Sequence, residues 1–289
     1  MTGVARAVAG WLAPEAPRER AVVTRMLVGA FATIYLLARF RYLADASRHV
    51  AADFAPVGVC SVLTAPIAAS ATWAIAIVTA TAGIAFTTGF RIRVAGPAFF
   101  AGLLWILSYA SSWGKIMHSE NLLVLHLGVF ALAGEVRDER VAGWALRAAA
   151  IATVLGYVVA GVTKLRSGGT AWLSGDALGS WVAWDALRKI ELGSLHSPLA
   201  ARVAESPALL QGLSLYTLLV ELGAPVALVS RRLARAWGLL AWLFHVGILA
   251  TMAIGFFYPL SGVAFAALLP VERVALLRRL ATRADDRSA

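Results

Sequence analysis

A single cysteine, Cys60, in 289 residues excludes an intramolecular disulfide and any thiolate metal cluster. Charge is scarce as well: 15% of the residues are Asp, Glu, Lys or Arg, against about 25% in an ordinary soluble domain. Acidic residues are the scarcer sign, 16 against 26 basic ones, which leaves a net charge of +10. The first twenty residues lack a continuous apolar core and carry Arg6, Arg18 and Arg20, so no secretory signal is expected there. No internal repeat is visible, which disfavours the inverted-repeat transporters. What the chain has in excess is apolar residues, at 60%. That balance points to an all-α, polytopic bundle of helices embedded in a bilayer.

Eight apolar stretches reach or approach the roughly 20 residues that a spanning helix needs. They are 24–43, 70–90, 97–112, 121–134, 144–165, 208–230, 236–255 and 257–269, the fourth and eighth being short enough to be broken or re-entrant. The segment 54–67 is also apolar but contains Pro56 and Pro66, and reads as interfacial. Arginines gather in alternate loops: Arg91 and Arg93, Arg137 and Arg140, Arg231, Arg232 and Arg235 fall on the same side as both termini. The positive-inside rule makes that side cytoplasmic. Residues 1–23 are then a cytoplasmic segment, 24–270 the membrane domain with an outer loop over 166–207, and 271–289 a basic cytoplasmic tail near anionic headgroups. The excess positive charge therefore has orientation as its cause. The expected partner is the lipid bilayer of the inner cell membrane and not nucleic acid.

Polar residues inside the apolar stretches are the candidates for chemistry. In the run from Tyr157 to Gly175, Lys164 stands near the outer end of the fifth stretch, with Tyr157 and Gly161 on a similar helix face. Two readings stand: a lysine that snorkels to water, or one that faces the bundle and takes part in proton transfer. Gly161 would let another helix or a flat ligand approach the backbone. A second cluster holds His118, Glu120 and Asn121, where Ser119 or Asn121 can equally serve as a helix cap. His126 reads as a hydrogen-bonded core histidine. His245 lies inside the seventh stretch, ahead of the turn at Gly255 to Tyr258. Glu221 is a carboxylate within the sixth stretch, costly by roughly 2–3.5 kcal/mol unless it has a partner or a wet cavity; a structural partner, Arg147 or a histidine, and a part in catalysis stand as equal readings. No spacing suggests a metal site. The topology gathers His118, Asn121, Lys164 and Trp172 at the outer ends of the stretches, with His245 deeper, as a pocket entered from the outer leaflet would require.

These motifs resemble the HTTM (horizontally transferred transmembrane) domain family, whose best-known member is the vitamin K-dependent gamma-carboxylase. Arg25-Met-Leu-Val-Gly29 is similar to the start of the family's first helix. Tyr157-Val-Val-Ala-Gly-Val-Thr-Lys-Leu165, followed by Trp172 and Gly175, is similar to its tyrosine, Ala-Gly and lysine-leucine segment. His118-Ser119, Glu221, His245 and Ile254-Gly255-Phe256 resemble its histidine, acid and last-helix positions. The resemblance implies a quinol-dependent carboxylase-type lyase with Lys164 as base, and His118 and His245 in support. It implies reduced vitamin K or menaquinol as cofactor, held by Tyr157, Gly161, Trp172, Asn121 and Glu221. Carbon dioxide and oxygen would be co-substrates, acting on a peptide or small carbon acid. The departures are Thr163 in place of a second lysine, a longer Lys164 to Trp172 spacing, and no asparagine soon after the last histidine. The carboxylase's luminal C-terminal region has no match, so propeptide-guided recognition of a protein is not expected. The alternative is a non-enzymatic quinone or lipid binder, or a partner subunit.

Overall fold

The computed structural model of the chain describes residues 3–114, 116, 118–277 and 279, and of His118 the backbone alone. Every regular element among them is helical. In chain order the α-helices are α1 (Gly3–Leu12), α2 (Arg18–Ala38), α3 (Phe40–Ala44), α4 (Ala69–Thr88), α5 (Ile92–Ala110), α6 (Asn121–Ala133) and α7 (Glu139–Gly168). There follow α8 (Ala171–Ser174), α9 (Asp176–Glu191), α10 (Leu199–Ala204), α11 (Pro207–Leu222), α12 (Arg231–Met252) and α13 (Phe257–Leu260). Five of them, α2, α4, α5, α7 and α12, are long and apolar enough to cross a membrane, and α6 and α11 are shorter apolar helices. The chain is thus an all-helical protein of membrane character.

The ends of these helices follow from local chemistry. Gly89 closes α4 with a φ of +89°, a left-handed value that a residue without Cβ adopts at little cost. Ser206 and Ser230 accept from the amides of Leu209 and Leu233 and cap α11 and α12. The stretch 208–230 is not one helix: α11 stops at Leu222, and Ala224–Leu228 forms a 3-10 turn. Pro225 sits there and lacks the amide hydrogen that would have carried the helix on. The stretch 257–269 is likewise not one helix. It consists of α13, a break at Gly262 with φ +78°, and a 3-10 segment over Val263–Leu268.

The chain divides into two compact units, 1–149 with 270–289, and 150–269; the division falls within α7. In the first, α2, α4, α5 and α6 form a bundle. Its interior is set by close approach: a Cβ added to Gly96 would stand 3.2 Å from the Cα of Ala131, so α5 and α6 touch at backbone distance. Cys60 packs in a buried cluster with Ala46 and Tyr109, against which Phe54, Leu63 and Trp113 lie. In the second unit the remainder of α7 accompanies α8 to α13.

A buried polar site in the second unit

Tyr157, Gly161 and Lys164 recur at intervals of four and three residues on α7 and so share one stripe. Lys164 does not end in water alone. Its Nζ donates to Glu221 Oε1 at 2.6 Å; the glutamate side chain is 3% exposed and the lysine 26%. Gly161 explains how α11 comes this near. A Cβ there would meet Leu222 Cδ2 at 2.8 Å and Glu221 Cβ at 3.0 Å, so only glycine leaves room for the helix that carries the carboxylate. The close approach at Gly161 is thus made by a helix. Trp172 of α8 turns its face to the lysine, with Nζ 5.5 Å from the ring centroid. Ser214 of α11 donates to the Trp172 carbonyl at 2.5 Å and ties α8 to the same helix.

About two turns away along α7, Tyr157 Oη and His245 Nε2 are 2.7 Å apart, joining α7 to α12. The histidine is walled by Phe244 and Phe256, whose ring centroids lie 5.1 and 5.3 Å from its own. Phe256 is brought there by the turn Ile254-Gly255-Phe256 after α12. Trp237 links the two pairs. Its ring stands edge-on to Tyr157 at 5.0 Å, and its Nε1 donates to the carbonyl of Val220, the residue before Glu221.

Each pair keeps one buried atom in reserve. Glu221 Oε2 and His245 Nδ1 are both buried and have no hydrogen-bond partner. An unsatisfied buried polar atom costs about 1–3 kcal/mol, and each of these two atoms is open to a further partner. Chemically, the site offers a carboxylate oxygen able to accept a proton, a cation beside it, and a histidine whose free nitrogen is donor or acceptor according to its tautomer.

The remaining expected residues belong to the first unit. His118 opens a 3-10 turn, His118–Glu120, and its side chain lies outside the described residues. Asn121 is the first residue of α6 and is exposed. Neither Ser119 nor Asn121 caps α6: the cap position is Glu120, without a side-chain bond to the helix, because Ser119 Oγ donates to Glu120 Oε2 at 2.5 Å. Tyr35 of α2 donates to the other oxygen at 2.9 Å, a partner the sequence reading did not find. His126 is a satisfied core histidine, its Nε2 donating to the carbonyl of Ala149 at 3.0 Å. The partner of Glu221 is Lys164, neither Arg147 nor a histidine; Arg147 instead lies over the Trp11 ring at 4.9 Å. Among the described residues no three His, Cys, Asp or Glu side chains gather as metal ligands.

A cavity of about 60 Å³ opens between α9, α10, α11 and α12, lined by Val182, Val203, Tyr216, Phe244 and Ile248 among others. None of Tyr157, Lys164, Glu221 and His245 lines it. It is well below the several hundred Å³ that enclose an ordinary organic ligand. No family model matches the chain, and no curated protein or solved structure matches it. The resemblance to the HTTM family rests on local motifs alone: Arg25 to Gly29 in α2, His118-Ser119, Tyr157 to Gly175, Glu221, His245 and Ile254 to Phe256.

Proposed function

We propose that the chain is a multi-pass protein of the inner cell membrane that binds a quinol-like amphiphile at the Lys164–Glu221 and Tyr157–His245 pairs and removes a proton from it. The single observation that carries this reading is the buried, unpartnered Glu221 Oε2 beside the Lys164 ammonium. The five helices long and apolar enough to cross a membrane, with the two shorter apolar ones, support the multi-pass part of this reading.

The residues suit such a group in kind. A quinol, when bound, supplies an acidic hydroxyl and a ring that oxygen can oxidise. Glu221 accepts the proton at Oε2, and Lys164 offsets the negative charge left behind, so the base is the pair and not the lysine alone. Trp172 offers a flat face next to the ammonium. Tyr157 and His245 hold or pass a proton through Nδ1, Phe244 and Phe256 keep water from the histidine, and Trp237 covers the tyrosine. Membership of the HTTM family, with carbon dioxide and oxygen as co-substrates and a carbon acid as acceptor, is the fuller form of the proposal.

A second reading has its own support. Lys164 already meets Glu221 at 2.6 Å, so the pair also serves as a lock between α7 and α11 in a non-enzymatic binder or partner subunit. Reduced menaquinone binding and oxygen-dependent oxidation, measured on protein in lipid nanodiscs, separate the two. The catalytic reading predicts that Lys164→Ala and Glu221→Gln lose turnover by about a hundredfold or more. Turnover at the wild-type rate in a folded Lys164→Ala protein would contradict it, and binding without turnover in the wild type would favour the lock.

A further inference from the structure

The outer segment 166–207 holds a sixteen-residue helix, α9, whose two faces differ sharply. Its inner face is fixed. Val182 and Asp185 are buried, and Asp185 pairs with Lys189 at 2.7 Å. Lys189 Nζ also donates at 2.5 Å to the carbonyl of Met252, the last residue of α12. Ser197, after the helix, donates at 2.5 Å to the carbonyl of Ala250. Both contacts satisfy carbonyls that the end of α12 leaves without helical partners. They also locate α9: it lies across the terminus of a helix long enough to span the bilayer.

The other face carries Trp181, Trp184, Leu187 and Ile190, and the chain beyond adds Leu192 and Leu195. Each of the six is at least 54% exposed. The two indoles meet edge to face at 5.8 Å, and the Arg188 guanidinium lies over Trp184 at 5.3 Å. An apolar stripe of this size on a helix in water calls for a cover. The depth of the helix decides which cover. The end of a spanning helix is the headgroup level, where tryptophan is enriched and where an arginine folded over an indole keeps its charge in the polar layer.

We infer that α9 is an interfacial helix: its Trp181–Trp184–Leu187 face lies in the headgroup and upper acyl region of the leaflet in which α12 ends. The segment 166–207 is then a belt resting on the membrane, and its partner is the lipid surface itself.

Spin labels at Trp184→Cys and Leu187→Cys, in protein reconstituted into phosphatidylcholine–phosphatidylglycerol nanodiscs, test this directly. Cys60 is buried and its thiol is pushed up to about 11 by that burial, so the introduced thiol is the one that reacts. Both labels are expected to collide more with dissolved oxygen than with a water-soluble nickel chelate. Labels that meet the chelate as freely as a label in water would overturn the inference, and so would labels shielded from both reagents, since that marks a protein cover. The unlabelled chain gives an independent readout. Brominated lipids should quench the wild type more strongly than the Trp181→Phe/Trp184→Phe variant, and equal quenching would overturn the inference as well.

Discussion

Two buried histidines on apolar helices, one in each unit, are treated in opposite ways. His126 gives its Nε2 proton to a backbone carbonyl in the first unit and serves the packing of α6. His245 in the second unit bonds to Tyr157 and leaves Nδ1 buried and open. The acids repeat the contrast. Glu120 accepts from Tyr35 on one oxygen and from Ser119 on the other, whereas Glu221 engages Lys164 with one oxygen and nothing with the second. Arg25, the largest buried polar side chain of the first unit, donates to the Phe86 carbonyl at the end of α4. Its one unsatisfied buried atom among the described residues is the indole nitrogen of Trp105. The difference teaches where to look: a buried polar group with every atom satisfied reads as structure, and one with a titratable atom left open is a candidate site.

The comparison breaks most readily at the ion pair. Lys164→Leu strands the Glu221 carboxylate in the interior, and the expected loss is about 3–5 kcal/mol. The double variant Lys164→Leu/Glu221→Leu should recover most of that loss, because no unpaired charge remains. Thermal unfolding in nanodiscs measures both, and a double variant no better than the single one would show that the pair is not the source of the loss. At Gly161→Ala the new methyl meets Leu222 and Glu221 within 3.0 Å. Overpacking of this kind costs about 1–3 kcal/mol, and it should weaken quinol binding as well by moving α11 from α7.

Smaller effects sharpen the contrast. Glu120→Gln keeps an acceptor for Tyr35 and should cost no more than about 1 kcal/mol, with quinol binding unchanged. Smallest is the Arg20–Glu272 bridge of the first unit, at 2.7 Å. Burial pushes the Glu272 carboxyl up, but the hydrogen bonds and charge of Arg20 outweigh it and hold the group below its ordinary 4.5. A depressed carboxyl stabilises the fold above its unfolded pKa and loses that contribution as pH falls through the folded one. Stability should therefore drop by no more than about 1 kcal/mol below pH 4.5, and Glu272→Gln should remove that slope in a pH series of melting curves.

Much of this architecture was legible in the residues. Hydropathy located seven of the helices, because a continuous apolar run long enough to cross lipid has few other uses, but 24–43 starts six residues late on α2 and 208–230 runs eight residues past the end of α11. The stretch 257–269, short enough to be read as broken, is broken: α13 ends at Leu260 and Gly262 turns the chain into a 3-10 segment. The segment 166–207, whose mixed charges point to short surface helices, holds α8, α9 and α10. At the site, the α7 stripe of Tyr157, Gly161 and Lys164 followed from helical spacing. The partners did not, because Glu221 is 57 residues from Lys164 and His245 is 88 from Tyr157. Spacing orders residues along one helix and says nothing about which other helix comes near. Glycine at position 161 was the one local sign that some helix would.

The measurement that bears most directly on the open second-unit site is infrared difference spectroscopy of the lipid-embedded protein on addition of reduced menaquinone. The account predicts a protonated-carboxyl band that is absent in Glu221→Gln and unchanged in Glu120→Gln. No such band, or one that survives Glu221→Gln and vanishes with Glu120→Gln, would contradict it.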